Sequence, residues 1–456
     1  MKKKRFLPFV LTLVLVLSLC IPSVSAFHSD LVDSMSVQSR AALLVDMDTD
    51  LVMYEQNAHT KSYPASITKV MTALLVLEAV EDGQLALDQM ITAGESAWQG
   101  LTEAEVGQKI QIGEEMSLED LLNCMMVASA NEAANILAAT VSGSIEAFVD
   151  RMNERATELG CEGTHFANPS GMPDDNHYST AYDLYLIAKE AMTHDRFRTI
   201  VSTIEYYVEP TNMTERQRHF FNTNGLLSNK KYAGYYYENC IGIKTGSTTA
   251  AGYCLLSAAE KEGQTLICVL LGCENPKDEN GEPQRLQFSE STRLLEWGFK
   301  NFSVHTILDA TDPVAEIPVT LSSECDYVSV IVDGTLEAQL PKDITGNDFD
   351  WTTELPDSVE APISAGQKLG TLTLTLDGED YGTVDLVAVN DVTRSDLLAL
   401  REDVLRIIQS WQFRIAVIAV VVVALAVVLR IIYVRHMRRL YGDRRKRDYR
   451  GKRDQS

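Results

Sequence analysis

The stretch Pro64-Ala-Ser-Ile-Thr-Lys-Val-Met-Thr-Ala-Leu-Leu75 decides how this chain is read. Val70, Leu74, Leu75 and, just beyond, Leu77 give apolar faces to a helix expected over 66–79. Asp82-Gly83 ends it, and Pro64 stiffens the approach. Ser66 and Lys69 stand i, i+3 at the start of this helix, so their side chains share one face. A serine hydroxyl is a weak nucleophile until a base removes its proton. A lysine serves as that base only while neutral, which burial and a second cation both favour. Lys244 is the candidate second cation. The helix N-terminus also favours negative charge developing at Ser66.

An S-x-x-K spacing alone carries little weight, since roughly one or two matches arise by chance in a chain of this composition. Ser228-Asn-Lys-Lys231 is a second match. It lies in a polar loop with no apolar helix after it, and is read as chance. Two further triplets follow the first. Ser129-Ala-Asn131 interrupts two helical segments and can aim Ser129 and Asn131 into a cleft, Ser129 to pass a proton and Asn131 to bind a peptide amide. The plain alternative is a helix cap ahead of Ala133. Lys244-Thr-Gly246 ends a strand. A lysine and a hydroxyl there can hold a carboxylate, and Gly246 leaves room for a ligand along the strand edge. The backbone N–H groups of Ser66 and Ser247 are candidates for an oxyanion hole.

The order S-x-x-K, S-x-N, K-T-G is a signature of penicillin-binding proteins and class A β-lactamases. The chain resembles the low-molecular-mass penicillin-binding proteins, the D-alanyl-D-alanine carboxypeptidases. The resemblance extends to Ala41-Ala-Leu-Leu-Val-Asp-Met-Asp-Thr-Asp50, to Asn168-Pro-Ser-Gly171 followed by Ala181-Tyr-Asp-Leu184, and to Glu360-Ala-Pro-Ile-Ser-Ala-Gly366. It implies that Ser66 attacks the carbonyl between two terminal D-alanines of a peptidoglycan stem pentapeptide, with Lys69 as general base. Ser129 then relays the proton to the leaving D-alanine and Asn131 positions the peptide. Lys244 and Thr245 bind the terminal carboxylate, with Gly246 and Ser247 lining the same edge. β-Lactam antibiotics are implied as acylating inhibitors. No cofactor or metal is implied, and His165 and His177, read as surface or turn residues, lack a zinc-ligand spacing. Ser170 and Ser247 depart from the family's common choices, which bears on peptide preference and deacylation. Two rivals are a β-lactamase of the same fold, for which no E-x-x-L-N stands between Asn131 and Lys244, and a non-catalytic wall-binding or sensory protein.

The expected architecture is α+β, a β-lactamase/transpeptidase-like catalytic domain with helices against an antiparallel sheet. Hairpin strands are expected at 41–47 and 51–55 and helices at 118–127, 132–140, 148–159 and 180–192. A short strand at 241–245, a hairpin over 252–271 turned at 260–263, and a helix at 289–301 complete it. Beyond Ser303 short alternating strands at 328–332, 336–340, 370–376 and 382–388, joined by turns at Asp333-Gly334 and Asp377-Gly378, predict a small all-β domain. The domains are drawn as a signal peptide 1–26, a catalytic domain 27–302, the β-rich domain 303–392, a juxtamembrane helix 393–413, a transmembrane helix 414–434 and a basic tail 435–456.

The chain ends set the compartment. Lys2-Lys-Lys-Arg5, an apolar run to Ile21 and Val24-Ser-Ala26 read as a secretory signal peptide; a retained anchor is the alternative. Ile415 to Leu429 holds no polar side chain, and Ile431 to Val434 extend the span to about 20 residues, enough to cross a bilayer. The basic residues after it place the tail in the cytoplasm and the catalytic part outside. The chain carries −24 overall; the first 26 residues hold +4 and the segment from Arg430 holds 11 basic and 3 acidic residues, leaving −36 between. So acidic an exported portion argues against nucleic acid as a partner. Seven cysteines remain after Cys20, an odd number without C-x-x-C, which argues against a disulfide framework. A single Cys254–Cys268 bridge across the hairpin stays open.

Overall fold

The computed structural model describes residues 35–376 and 379–451. The expected signal peptide and the turn at Asp377-Gly378 lie outside the described residues. The chain forms two compact units, one containing residues up to His305 and one containing Gly346 onward.

The first unit opens with the hairpin β1 (Ala41–Asp46) and β2 (Val52–Gln56). It continues through α1 (Lys69–Glu81), the short pair β3 (Met90–Thr92) and β4 (Glu115–Ser117), and the helices α2 (Leu118–Met126), α3 (Asn131–Ser142), α4 (Ile145–Glu158), α5 (Ala181–Met192) and α6 (Asp195–Ser202). A second short hairpin, β5 (Glu205–Val208) and β6 (Arg218–Phe221), precedes β7 (Cys240–Thr248), β8 (Gly252–Lys261), β9 (Gln264–Cys273) and the closing helix α7 (Leu286–Asn301). The main sheet has the antiparallel order β2-β1-β9-β8-β7, so β7 is an edge.

All six residues of β1 are buried. Leu43 and Val45 join the core that contains Leu74 and Leu75 of α1. Leu44, pointing the other way, faces α7, where a Cβ on Gly298 would come within 2.7 Å of its Cδ2 and 2.9 Å of Leu266 Cδ1. The sheet is therefore covered on both faces, which explains why β1 reads as an unbroken apolar run rather than an alternating one. Helix α1 is buried on nearly every side, as expected for a helix apolar all round.

The expected α+β arrangement is present, with differences in detail. Strand β7 runs nine residues rather than five, because pairing with β8 carries it on through Gly246, which β propensity alone disfavours. The β8–β9 turn narrows to Glu262-Gly263, and α7 starts at Leu286. Helix α6 and the hairpins β3–β4 and β5–β6 escaped the sequence reading, being too short to show a period. Ser257, not Cys254, stands opposite Cys268, and the seven described cysteines are free thiols.

In the second unit six strands form one sheet in the order Asp350–Glu354, Lys368–Leu376, Glu379–Ala388, Tyr327–Val332, Ala315–Thr320, Val359–Glu360. Tyr327–Val332 pairs with Ala315–Thr320 and Glu379–Ala388, not with Leu336–Pro341, so Asp333-Gly334 does not close the hairpin expected there. Helix Asp396–Gln409 follows, then one helix from Trp411 to Gly451. Its segment Trp411–Arg439 is apolar enough and, at 29 residues, long enough to cross a membrane.

Gly298 lets α7 lie against the sheet. Gly298→Val is expected to destabilise the first unit by roughly 1–3 kcal/mol through overpacking, seen as a lower melting temperature. An unchanged melting temperature would contradict this packing.

Candidate active site

Ala65–Thr68 is a single 3-10 turn, and the α-helix starts at Lys69. Ser66 thus precedes α1 instead of opening it. Ala65 is buried with φ +49°, a conformation costing a non-glycine residue about 1–2 kcal/mol. Two glycines hold the turn from opposite sides. A Cβ on Gly246 would lie 2.9 Å from Pro64 O and 3.0 Å from Ser66 N. A Cβ on Gly171, whose φ is +86°, would overlap Ala65 O.

Lys69 is 0% exposed. Its Nζ lies 2.9 Å from Ser66 Oγ, 2.7 Å from Asn131 Oδ1 and 2.5 Å from Ser170 O. As an ammonium it donates to all three. As a neutral amine it donates to the two carbonyl oxygens and accepts from the Ser66 hydroxyl. Both protonation states fit the same frame, so a proton can pass from Ser66 to Lys69 without rearrangement. Burial foremost, and then the charge of Lys244, hold the Lys69 pKa well below the usual lysine range; Glu132 pulls the other way. Lys244 is itself pushed down to about 7, by burial first and by Lys231 second.

Asn131 is the first residue of α3, whose cap residue is Ala130. Its amide does not cap the helix: Oδ1 meets Lys69 and Nδ2 donates to Glu105 O at 2.8 Å. Ser129, half-buried with φ +65°, lines a cleft of about 240 Å³ together with Ser66, Thr245, Gly246 and Ser247. Thr245 Oγ1 donates to Thr223 Oγ1 at 2.6 Å. Lys244 shares a strand face with Gly246, is 1% exposed, and stands behind the cleft wall. The eight residues expected at the site are thus brought together in two layers. Lys69 and Lys244 are buried behind the wall, Asn131 stands half-buried beside Lys69, and the other five line the cleft.

Several participants were not foreseen. Arg285, half-buried, lines the cleft with its guanidinium 3.9 Å from the Tyr232 ring centroid, giving the cleft wall a cation. Nothing in its local sequence, a polar loop after Pro283, marks it. Lys231 and Tyr232 come from the loop whose S-x-x-K match was read as chance, and both act on this site through charge or lining. Glu132 is fully buried and accepts from Gly107 N at 2.9 Å and Gln108 N at 2.6 Å, fixing the loop that carries Glu105. His177, read as a surface or turn residue, does close a turn through its N–H to Asp174 O at 3.0 Å, but it is 1% exposed, packed against the 65–68 turn. Its Nε2 lies 2.8 Å from Thr68 Oγ1. His165 is exposed.

Residues 28–275 match the family model described as D-alanyl-D-alanine carboxypeptidase, and residues 302–394 match that of the penicillin-binding protein 5 C-terminal domain. The chain belongs to the D-alanyl-D-alanine carboxypeptidase family. It is 29% identical over 398 residues to the D-alanyl-D-alanine carboxypeptidase DacF of Bacillus subtilis (strain 168), covering 87% of this chain and 96% of that one. It is 31% identical over 360 residues to DacA of Haemophilus influenzae, covering 78% and 86%. The crystal structure of penicillin binding protein 5 from Haemophilus influenzae superposes with a TM-score of 0.59 at 28% identity, covering 79% of this chain and 99% of that one. Family membership agrees with the α+β first unit followed by a β-sheet unit.

The Lys69–Lys244 pair gives a signed expectation. In Lys244→Gln the neighbouring positive charge is gone, the Lys69 ammonium is less disfavoured, and its pKa rises. The limb on which acylation by a fluorescent penicillin increases with pH should move to higher pH. A limb that stays in place or moves to lower pH would show that Lys244 does not act on Lys69 through charge.

Proposed function

We propose that this chain is a serine-type D-alanyl-D-alanine carboxypeptidase that removes the terminal D-alanine from peptidoglycan stem pentapeptides and is acylated by β-lactams at Ser66. The observation that carries the reading is the fully buried Lys69 Nζ, 2.9 Å from a Ser66 hydroxyl that opens on the cleft.

In this reading Ser66 Oγ gives its proton to neutral Lys69 and bonds to the carbonyl carbon of the penultimate D-alanine. The carbonyl oxygen becomes an oxyanion held by the N–H groups of Ser66 and Ser247. Ser129, on the same cleft wall, relays the proton taken up by Lys69 to the leaving amine as the C–N bond breaks, so that Lys69 is neutral again and Ser129 keeps a hydroxyl proton. Water then cleaves the ester and restores Ser66. The terminal carboxylate is held by Thr245 and Arg285 on the cleft surface, with Lys244 adding its field from behind. Asn131, its amide fixed by Lys69 and by Glu105 O, positions the peptide, and Gly246 leaves the strand edge open.

The same proposal includes the cellular arrangement. Residues 1–26 act as a signal peptide, 27–302 as the catalytic domain and 303–392 as the β-rich domain. The helix within 393–413 leads to a span at 414–434, and the basic tail 435–456 stays in the cytoplasm. The apolar segment Trp411–Arg439 supports the anchor, and the arginines after it support the orientation.

Released D-alanine from a pentapeptide ending in D-Ala-D-Ala tests the reaction. The wild type should release it and Ser66→Ala should lose at least about 1,000-fold. Activity surviving in the variant, or rapid penicillin turnover in place of a lasting adduct, would reject the reading. A chain ending at Arg394 should leave the membrane fraction and keep its activity; persistent sedimentation with membranes would reject the anchor.

A further inference from the structure

The peptide unit joining Ala65 to Ser66 has two ends with different environments. Its N–H belongs to Ser66 and faces the position that a Gly246 side chain would fill, at the cleft edge. None of the described residues accepts a hydrogen bond from it. Its C=O belongs to Ala65 and points the opposite way, because the two groups of a trans peptide are antiparallel.

That carbonyl is the end of a buried chain of hydrogen bonds. Ala167 N donates to His177 Nδ1 at 3.0 Å. Since Nδ1 accepts, the neutral imidazole carries its proton on Nε2. Nε2–H then donates to Thr68 Oγ1 at 2.8 Å, and the Thr68 hydroxyl donates to Ala65 O at 2.8 Å. Every link is oriented by the one before it. The tautomer follows from a backbone N–H that cannot be reversed. His177 and Thr68 are both buried, so water does not compete. Burial also lowers the His177 pKa to about 4, which keeps the ring neutral near neutral pH.

We propose that His177 and Thr68 form a relay that orients and polarises the Ala65–Ser66 peptide, so that its N–H is a pre-aimed, strengthened donor to the oxyanion. Both are positioning residues, since neither is among the residues lining the cleft. Two physical effects combine. A donor on the carbonyl pulls electron density along the amide and makes the N–H more acidic, the cooperativity expected of hydrogen-bond chains in a low dielectric. The same bond holds Ala65 in its left-handed conformation, which otherwise costs energy and would relax by turning the N–H away. The relay rests on the reading of Ser66 as the nucleophile.

The effect belongs to the transition state, because negative charge develops on the oxygen there and is absent from the bound ground state. The test uses the full chain in detergent. Stopped-flow penicillin acylation separates the pre-covalent dissociation constant from the acylation rate, and thermal melting reports folding. Thr68→Val removes the hydroxyl at constant shape. His177→Phe removes the ring nitrogens, and His177→Gln keeps an N–H donor near the position of Nε2. Thr68→Val and His177→Phe should each slow acylation about 10- to 100-fold, less than loss of a whole oxyanion donor. The dissociation constant should stay within about twofold. The double variant should be no slower than the worse single one, because one chain is broken once. His177→Gln should recover most of the rate. Unchanged acylation in folded variants, a loss confined to the dissociation constant, additive losses, or no recovery with Gln would each overturn the relay. Should His177→Phe fail to fold, Thr68→Val decides alone. A wild type that is never acylated is a different result: it overturns the reading of Ser66 itself.

Discussion

A lysine taken wholly out of water is the constraint around which the catalytic unit is arranged. Its ammonium loses its hydration and must find oxygen acceptors in the protein, or give up its proton. Here it does both. Three oxygens surround Nζ, drawn from the 65–68 turn, the start of α3 and the Asn168–Gly171 turn. A second buried lysine makes the charged form dearer still. The outcome is an amine poised to exchange a proton with Ser66, held where solvent cannot set its basicity.

The surrounding structure reads as a series of supports for those three acceptors. Asn168 Oδ1 accepts from the backbone N–H groups of Ser170, Gly171 and Met172, which shapes the turn that offers Ser170 O. Thr72 Oγ1 donates to Pro169 O at 2.7 Å and ties that turn to α1. Asn131 is held by Glu105 O, and the loop carrying Glu105 is held by buried Glu132. Each support is hydrogen-bonded, and Thr72 and Glu132 are fully buried, the condition under which such networks give rigidity instead of cost. Glycines at 171 and 246 matter for a different reason. They let backbone approach backbone around Ser66 more closely than any side chain permits.

Much of this fold was legible in the chain because its long helices and hairpin strands are strongly apolar. Helix α1, the β1–β2 hairpin and the β8–β9 hairpin follow from periodicity and turn chemistry. Strand β7 was less legible. It holds Gly242, Lys244 and Gly246, and only its register with β8 makes nine residues extended. The Asp333-Gly334 turn misled for a related reason. Its local chemistry suits a hairpin, yet Tyr327–Val332 pairs with Ala315–Thr320 just before it and with Glu379–Ala388 far along the chain. His177 misled more plainly, since a histidine among Asp174, Asp175 and Asn176 looks like surface, and only long-range packing buries it.

By itself the sequence determined the chemical inventory: a serine with a lysine one turn away, a second serine and an asparagine at a helix break, and a lysine-threonine-glycine strand end. It also determined the apolar span near the C-terminus, because hydropathy is a property of local composition. The tertiary structure alone decided which members of that inventory meet the cleft and which stand behind it. Lys244 lies inside, while Arg285, unmarked in the sequence, faces the cleft. Ser170 O reaches Lys69 across 101 residues of chain, and His177 reaches Thr68 across 109. Burial and basicity are set by such distant neighbours, so residue identity fixes what a group can do, and packing fixes whether it does it.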